Sequence, residues 1–142
     1  MAKKEGYLEY GVLGMIEKIR IPKERLPILI GKSGEIKRKL ERRTKSKIDI
    51  SDDITVTGES VETLNASNII KAIGRGFDPD SAFQLLDENI VFCVIPLPND
   101  RKALKRIRSR IIGTKGKCKR IIENASGTRI SVYGKTVSII GE

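Results

Sequence analysis

The sequence has no histidine, no tryptophan and only two cysteines among its 142 residues. Without histidine, catalytic triads and metal sites that need an imidazole are excluded. Cys93 and Cys118 stand 25 residues apart without partners, so neither a disulfide framework nor a cysteine zinc site is indicated. The longest apolar run, residues 90–95, is far shorter than the roughly 20 residues that a membrane-spanning helix needs. Because the amino terminus lacks the apolar core of a signal peptide, we expect a cytoplasmic protein, and we expect no metal or cofactor.

What the chain has instead is positive charge, with 28 lysines and arginines against 18 acidic residues and a net charge of +10. Residues 101–120 hold ten basic residues and no acidic one, so the remainder, with 18 of each sign, is neutral. Residues 37–47 form a second basic stretch, with seven positive charges against Glu41 alone. A basic run by itself also fits a solvated helix face, but a concentrated excess favours nucleic acid as a partner.

Two parts of the chain repeat one pattern at an offset of 82 residues. Residues 28–50 align without gaps on residues 110–132 and give seven identities in 23 positions. The repeat indicates two copies of one structural unit. The identical pairs are Ile30/Ile112, Gly31/Gly113, Gly34/Gly116, Lys37/Lys119, Arg38/Arg120, Glu41/Glu123 and Ile48/Ile130, and conservative pairs include Leu40/Ile122 and Lys47/Arg129.

Each copy reads as strand, helix, GxxG, helix, strand, strand. In the second copy the apolar run at residues 90–96 predicts a strand, and Leu104, Ile107 and Ile111 form one apolar helical stripe. On the next helix we expect Cys118, Ile122 and Ala125 to face inward. In the first copy the predicted elements are residues 15–21, 23–30, 35–44, 47–50 and 54–57, and Pro27 limits the first helix to one or two turns.

The segment between the copies is helical in pattern rather than a linker. Residues 61–73 show a helical apolar face, and Asp78 followed by Pro79 predicts the start of a second helix through residue 86. We therefore expect two domains. Residues 1–87 form the first, with a helical extension at 61–87, and residues 88–142 form the second, which lacks a C-terminal helix.

A GxxG sequence between two helices suits binding to a phosphate backbone. Glycine at both ends of the turn lets the backbone approach a ligand closely, and the next helix begins with free N–H groups and a positive dipole end. The second loop lies inside the ten-charge stretch, which favours RNA contact over a purely structural turn. For the first loop both interpretations remain open, because acidic Glu24 and Glu35 flank it.

Both copies resemble KH domains, on the sequences Ile-Gly-Lys-Ser-Gly at residues 30–34 and Ile-Gly-Thr-Lys-Gly at 112–116. The resemblance implies an α+β fold of two KH domains in tandem, each a three-stranded sheet with helices packed on one face and a GxxG loop between two short helices. It implies that the loop clamps about four nucleotides of single-stranded RNA. It also places the bases in a groove between the helix before the loop and the middle strand of the sheet.

The predicted RNA-binding residues of the second copy are Gly113, Thr114, Lys115, Gly116, Arg106, Arg108, Arg110, Ile112, Lys117, Arg120, Ile130 and Val132. Those of the first copy, for which protein contact or bracing of the second copy is the alternative, are Gly31, Lys32, Ser33, Gly34, Arg38 and Ile48. No catalytic residue is expected.

The whole chain resembles a narrower family. Residues 72–77 (Ala-Ile-Gly-Arg-Gly-Phe) and 82–86, set between two KH units, are similar to the Dim-two family of archaeal small-subunit ribosome biogenesis factors, counterparts of the eukaryotic partner of the Nob endonuclease. The resemblance implies binding near the 3′ end of small-subunit ribosomal RNA during maturation. It also implies contact with the Nob-type endonuclease and with the alpha subunit of translation initiation factor two.

Other function classes fit less well. One alternative is a general KH protein for single-stranded nucleic acid; another is a helix-turn-helix DNA-binding protein, which does not require flanking strands or a glycine at each end of its turn. An RRM-type binder needs aromatic residues on its sheet, and the second copy has only Phe92 and Tyr133. A nuclease needs clustered carboxylates, which residues 101–120 lack, so we expect no enzyme.

Overall fold

This computed structural model describes residues 14–142, and the chain divides into two compact units after Gly74. The first thirteen residues of the predicted first domain lie outside the described residues. Within the described range, no helix is both long and apolar enough to cross a membrane.

The described part of the first unit, residues 14–74, contains three strands and three helices. They are β1 (Gly14–Ile19), α1 (Leu26–Ile30), α2 (Glu35–Thr44), β2 (Lys47–Ile50), β3 (Ile54–Glu59) and α3 (Ser60–Gly74), with a 3₁₀ turn at Lys23–Arg25 before α1. β3 pairs antiparallel with both other strands, so the order in the sheet is β1-β3-β2. Pro27 lies at the start of α1, where a missing N–H costs no helical hydrogen bond, and the helix is short as predicted.

The second unit repeats the arrangement after a short helix. Its elements are α4 (Pro79–Phe83), β4 (Val91–Pro96), α5 (Arg101–Ile112), α6 (Lys117–Ser126), β5 (Arg129–Tyr133) and β6 (Thr136–Gly141), and its sheet order is β4-β6-β5. The predicted start of α4 is confirmed, because the Asp78 side chain accepts a hydrogen bond from the Ser81 main-chain N–H and Pro79 follows it in the first helical position.

One face of the first sheet carries the core. Glu17 and Ile48 both lie opposite Val56 in the sheet, so the three side chains share a face. Ile48 and Val56 are buried there, and Ser67 of α3 donates a hydrogen bond to the Glu17 carboxylate at 2.8 Å. α3 therefore covers this sheet and is an integral part of the unit, not an extension of it.

The segment after α3 lies on the second sheet. The Ser131 hydroxyl donates to the main-chain oxygen of Arg75 at 2.7 Å, and the Phe77 ring meets the Phe92 ring edge-on at 6.3 Å between centroids. Ser131 and Phe92 share the face opposite to that of Ile130. These contacts attach residues 75–87 to the second unit, so the boundary between the units lies after residue 74 and not after residue 87, where the sequence pattern placed it.

The inward face expected for α6 is only partly covered. Cys118 is half-buried, but Ala125 is exposed and Ile122 is 41% exposed, contrary to the prediction. Leu40, which is the repeat counterpart of Ile122, is fully buried. The reason is that α3 completes the first unit, whereas the described part of the second unit has no helix after β6.

Candidate nucleic-acid interface

The loop between α5 and α6 requires glycine at both of its ends. Gly113 has φ 74° and Gly116 has φ 75°, values that side chains disfavour. A Cβ at Gly113 would lie 2.6 Å from the Cβ of Cys118, so no side chain fits there. Lys115, between them, is also left-handed with φ 53°, and the Arg120 guanidinium holds it by donating to its carbonyl oxygen at 2.9 Å.

The loop leaves the start of α6 open to a ligand. No side chain caps the helix, and its first N–H, that of Lys117, donates to the main-chain oxygen of Thr114. Lys115 and Lys117 are both exposed beside this helix start. A helix start without a side-chain cap, with its positive dipole end and ammonium groups next to it, forms an arrangement that binds phosphate.

The first loop has the same backbone. Gly31 and Gly34 both have φ 77°, and Ser33 between them has φ 55°. Arg38 donates to the Ser33 carbonyl oxygen at 2.6 Å, as Arg120 does to that of Lys115, and α2 also lacks a side-chain cap. The repeat in sequence is therefore a repeat of loop geometry.

The strand beside the loop is an edge strand. The resemblance placed Ile130 and Val132 on the middle strand, but the last strand, β6, pairs with both neighbours and so takes the middle position. The Ile130 N–H points away from β6 and donates to Glu123 at 2.9 Å, and Ile48 and Glu41 do the same in the first unit. Ile130 and Ile48 are buried, so their side chains are core residues and only their main chains border the groove. Val132 stays half-buried.

The basic residues predicted on α5 divide between two sides of the helix. Arg108 and Ile112, one turn apart, line a groove of about 320 Å³. Arg106 and Arg110 are exposed, and the helical rotation of about 100° per residue places them on roughly the opposite side. The structure thus brings Arg108 together with Ile112 but separates them from Arg106 and Arg110.

The sequence prediction missed polar residues around the edge of β5. Lys119 pairs with Glu123 at 3.6 Å, and Arg129 lies at the start of β5. Their repeat partners Lys37 and Lys47 were visible in the alignment, which was the available signal. Among the described residues, no group of three or more acidic or cysteine side chains is arranged to hold a metal ion.

Comparisons with known proteins match both units. Residues 16–72 match the family model described as KH domain, and residues 91–142 match the one described as eukaryotic type KH-domain (KH-domain type I). A KH domain-containing protein of Methanocaldococcus jannaschii is 38% identical over 137 residues, which is 89% of this chain and 60% of that protein. The pre-rRNA-processing protein PNO1 of Chaetomium thermophilum is 34% identical over 97 residues, 64% of this chain and 37% of that protein.

Solved structures of one archaeal protein agree over most of the chain. Dim2p from Pyrococcus horikoshii is 45% identical with a TM-score of 0.83, and the match covers 89% of this chain and 81% of that one. A chain in the crystal structure of its a/eIF2alpha–aDim2p–rRNA complex is 44% identical with a TM-score of 0.84, covering 91% and 77%. The present chain spans less than two thirds of the length of the curated relatives given above.

Proposed function

Because the chain belongs to the Dim2 family of tandem KH-domain proteins, we propose that it binds the 3′ end of small-subunit ribosomal RNA during subunit maturation. One observation carries the proposal: the uncapped α6 start and the left-handed loop lie at the centre of the ten-charge stretch. The crystallised relative whose complex contains rRNA supports the choice of ligand.

In this proposal the loop binds the RNA backbone. Phosphates lie at the uncapped start of α6, with Lys115 and Lys117 beside them, and their neutralisation releases counterions from the RNA. Arg120 has a positioning role, because its guanidinium already holds the Lys115 carbonyl. The bases then lie toward Ile112 and Val132, the two predicted groove residues that remain half-buried and not fully enclosed.

The protein acts as a scaffold without catalysis, in the cytoplasm. It brings the rRNA end together with the alpha subunit of translation initiation factor two and with the Nob-type endonuclease. The first partner is supported by the complex of the Pyrococcus relative with a/eIF2alpha. The nuclease rests on family resemblance alone, and a binding titration with the purified nuclease, with and without rRNA, tests it.

The loop variant Thr114→Asp with Lys115→Asp tests the proposal. It places two carboxylates where phosphates would lie, so tight binding to an oligonucleotide of the rRNA 3′ end should be abolished in a fluorescence-anisotropy titration. Circular dichroism should show an unchanged fold, because both side chains are exposed. Unchanged affinity would remove the assignment of RNA binding to this loop.

A competition binding experiment distinguishes specific binding of the rRNA 3′ end from general binding of single-stranded nucleic acid. A specific factor should prefer the rRNA 3′ end to scrambled RNA and single-stranded DNA at the same salt concentration. Crosslinking with mapped sites then identifies the bases that the groove contacts. Equal competition by all three ligands would support the general KH binder.

A further inference from the structure

A small polar cavity lies along the outer edge of β5 in the second unit. Its volume is about 230 Å³, below the roughly 300 Å³ at which pockets for drug-sized ligands begin. Ile130 and Val132, two of the predicted RNA-binding residues, are among those that line it. Its lining includes Gly76, Asp78, Lys119, Glu123, Arg129 and Val132.

One wall of this cavity comes from outside the KH repeat. Residues 76–78 and Ser81 form it, and this segment is fastened to the second sheet through the Arg75 main chain and the Phe77 ring. The opposite wall is α6, three residues beyond Gly116 of the loop. A strand of RNA clamped at the loop therefore has this cavity directly beside its path.

The outer edge of β5 offers main-chain hydrogen-bonding groups there. The N–H of Ile130 points away from β6 and is taken by Glu123. In an antiparallel strand the N–H and C=O of one residue point the same way, and alternate residues repeat that direction. The Ile130 carbonyl and both main-chain groups of Val132 are thus directed toward the groove and the cavity, where a base edge can pair with them.

The cavity is lined by charges of both signs, and Asp78 and Arg129 are both exposed at it. The Asp78 carboxylate accepts from the Ser81 hydroxyl at 2.6 Å and from the Ser81 N–H at 3.3 Å, and an ionised carboxylate offers about four acceptor positions in all. Partial burial acts to raise the pKa of Asp78, but the hydrogen bonds from Ser81 and the charge of Arg129 together lower it. An ionised carboxylate repels a phosphate and accepts hydrogen bonds from an amino group. The Arg129 guanidinium attracts a phosphate and can receive that of the same nucleotide.

We propose that this cavity binds one further nucleotide of the RNA, beyond those in the loop groove. A base with an exocyclic amino group enters and donates to Asp78, and its phosphate contacts Arg129. This inference rests on the proposed RNA binding by the second unit. It gives the protein a preference at one position that the loop alone cannot supply, because the loop contacts only the backbone of the RNA.

The test is a length series of RNA oligonucleotides, extended one nucleotide at a time at either end beyond the four that the loop groove takes. Addition of adenosine, cytidine or guanosine at one position should raise the affinity about tenfold, and uridine should not. Asp78→Asn keeps a residue that caps helices, and since its one amide oxygen serves the Ser81 N–H, its NH₂ donor is left for the base. The variant should therefore lose this preference and leave the affinity for the four-nucleotide RNA unchanged. Arg129→Gln should reduce the gain for every base.

The matched control is Lys47→Gln, which alters the repeat counterpart of Arg129 in the first unit and should leave the length series as in the parent protein. If Asp78→Asn or Arg129→Gln changes the affinity equally at all lengths, the effect is general electrostatics and the cavity proposal is wrong. The loop variant Thr114→Asp with Lys115→Asp separates the two proposals. If the loop variant loses RNA binding but the parent protein gains no affinity with any added nucleotide, the second unit binds RNA at the loop and the cavity proposal is wrong. If the loop variant binds RNA normally, the proposed function itself is wrong.

Discussion

The two KH units share a backbone and differ in the side chains around it. Their GxxG loops agree within a few degrees in φ, and each is held by an arginine that donates to the loop carbonyl. Around this common frame the charges change. The basic residues of the second unit replace acidic or apolar ones of the first in the pairs Glu24/Arg106, Leu26/Arg108, Ile28/Arg110 and Glu35/Lys117.

Because the two loops share their backbone, a difference in RNA binding between the units has to come from the side chains and charges around the loops. The first loop has the same uncapped helix start, but Glu24 and Glu35 stand where the second unit has Arg106 and Lys117, so the positive charge that attracts and retains a polyanion is weaker around it. We therefore expect the second unit to dominate RNA affinity, and the first unit to brace it or to contact protein.

The units also differ in how their sheets are covered. α3 encloses the helix-facing side of the first sheet, whereas Val91 and Ile95 of β4 are 60% and 44% exposed in the second. The second unit instead gains residues 75–77 on its opposite face. The most buried side chains of the two equivalent sheets thus lie on different faces: the helix-facing side in the first unit and the opposite face, under residues 75–77, in the second.

The largest effect should come from the segment that precedes β4. Phe77→Ala removes a ring that is 4% exposed and lies against Phe92, so the second unit should lose roughly 3–5 kcal/mol of its free energy of unfolding. Native-state hydrogen exchange, read separately for the two units, measures it. Hydrogen-exchange protection in the first unit should not change. A loss of protection in the first unit instead would show that residues 75–87 belong to the first domain.

Alanine substitution at one equivalent position in each unit should destabilise the first unit more than the second. Leu40→Ala leaves a cavity beneath α3 and should cost about 2–5 kcal/mol. Ile122→Ala, at the corresponding position but 41% exposed, should cost about 1 kcal/mol or less. Denaturant unfolding of both variants gives the comparison, and equal losses would show that both units are enclosed to the same degree.

Replacement of basic α5 residues by their apolar counterparts from the first unit should weaken RNA binding. Arg108→Leu with Arg110→Ile should make the affinity less dependent on salt, by about 0.7 in the log–log slope for each phosphate that is no longer neutralised. The control is Arg42→Gln with Arg43→Gln, which removes two exposed charges from α2 of the first unit. A larger change of slope in the control would reverse the proposed roles of the two units.

The smallest effect concerns pH. Since the folded-state pKa of Asp78 is lowered below its ordinary value of 3.8, its ionised form stabilises the fold above that value, and this contribution disappears as pH falls toward the folded pKa. Asp78→Asn should therefore flatten the decline of Tm of the second unit below about pH 4. An identical acid profile in parent and variant would show that the Ser81 and Arg129 contacts do not stabilise the carboxylate.

Much of this architecture was predictable because local signals agreed with the tertiary structure. The bounds of α2 and β2 match the prediction, and the paired GxxG sequences located both loops. What sequence could not give was tertiary context. Ile122 follows a buried pattern but lacks a covering helix among the described residues, and residues 75–87 continue a helical pattern while packing on the next unit. The left-handed Ser33 and Lys115 had no signal, since either residue favours ordinary backbone elsewhere.

The most direct test compares the two loops under one set of conditions. Thr114→Asp with Lys115→Asp and Lys32→Asp with Ser33→Asp place equal charges in loops of equal geometry, and their affinities for the rRNA 3′-end oligonucleotide are measured side by side. We predict that the second-loop variant loses tight binding and the first-loop variant keeps affinity within a few-fold of the parent protein, as expected if charge around the loop decides. Equal losses from both variants, or a greater loss from the first loop, would contradict this account.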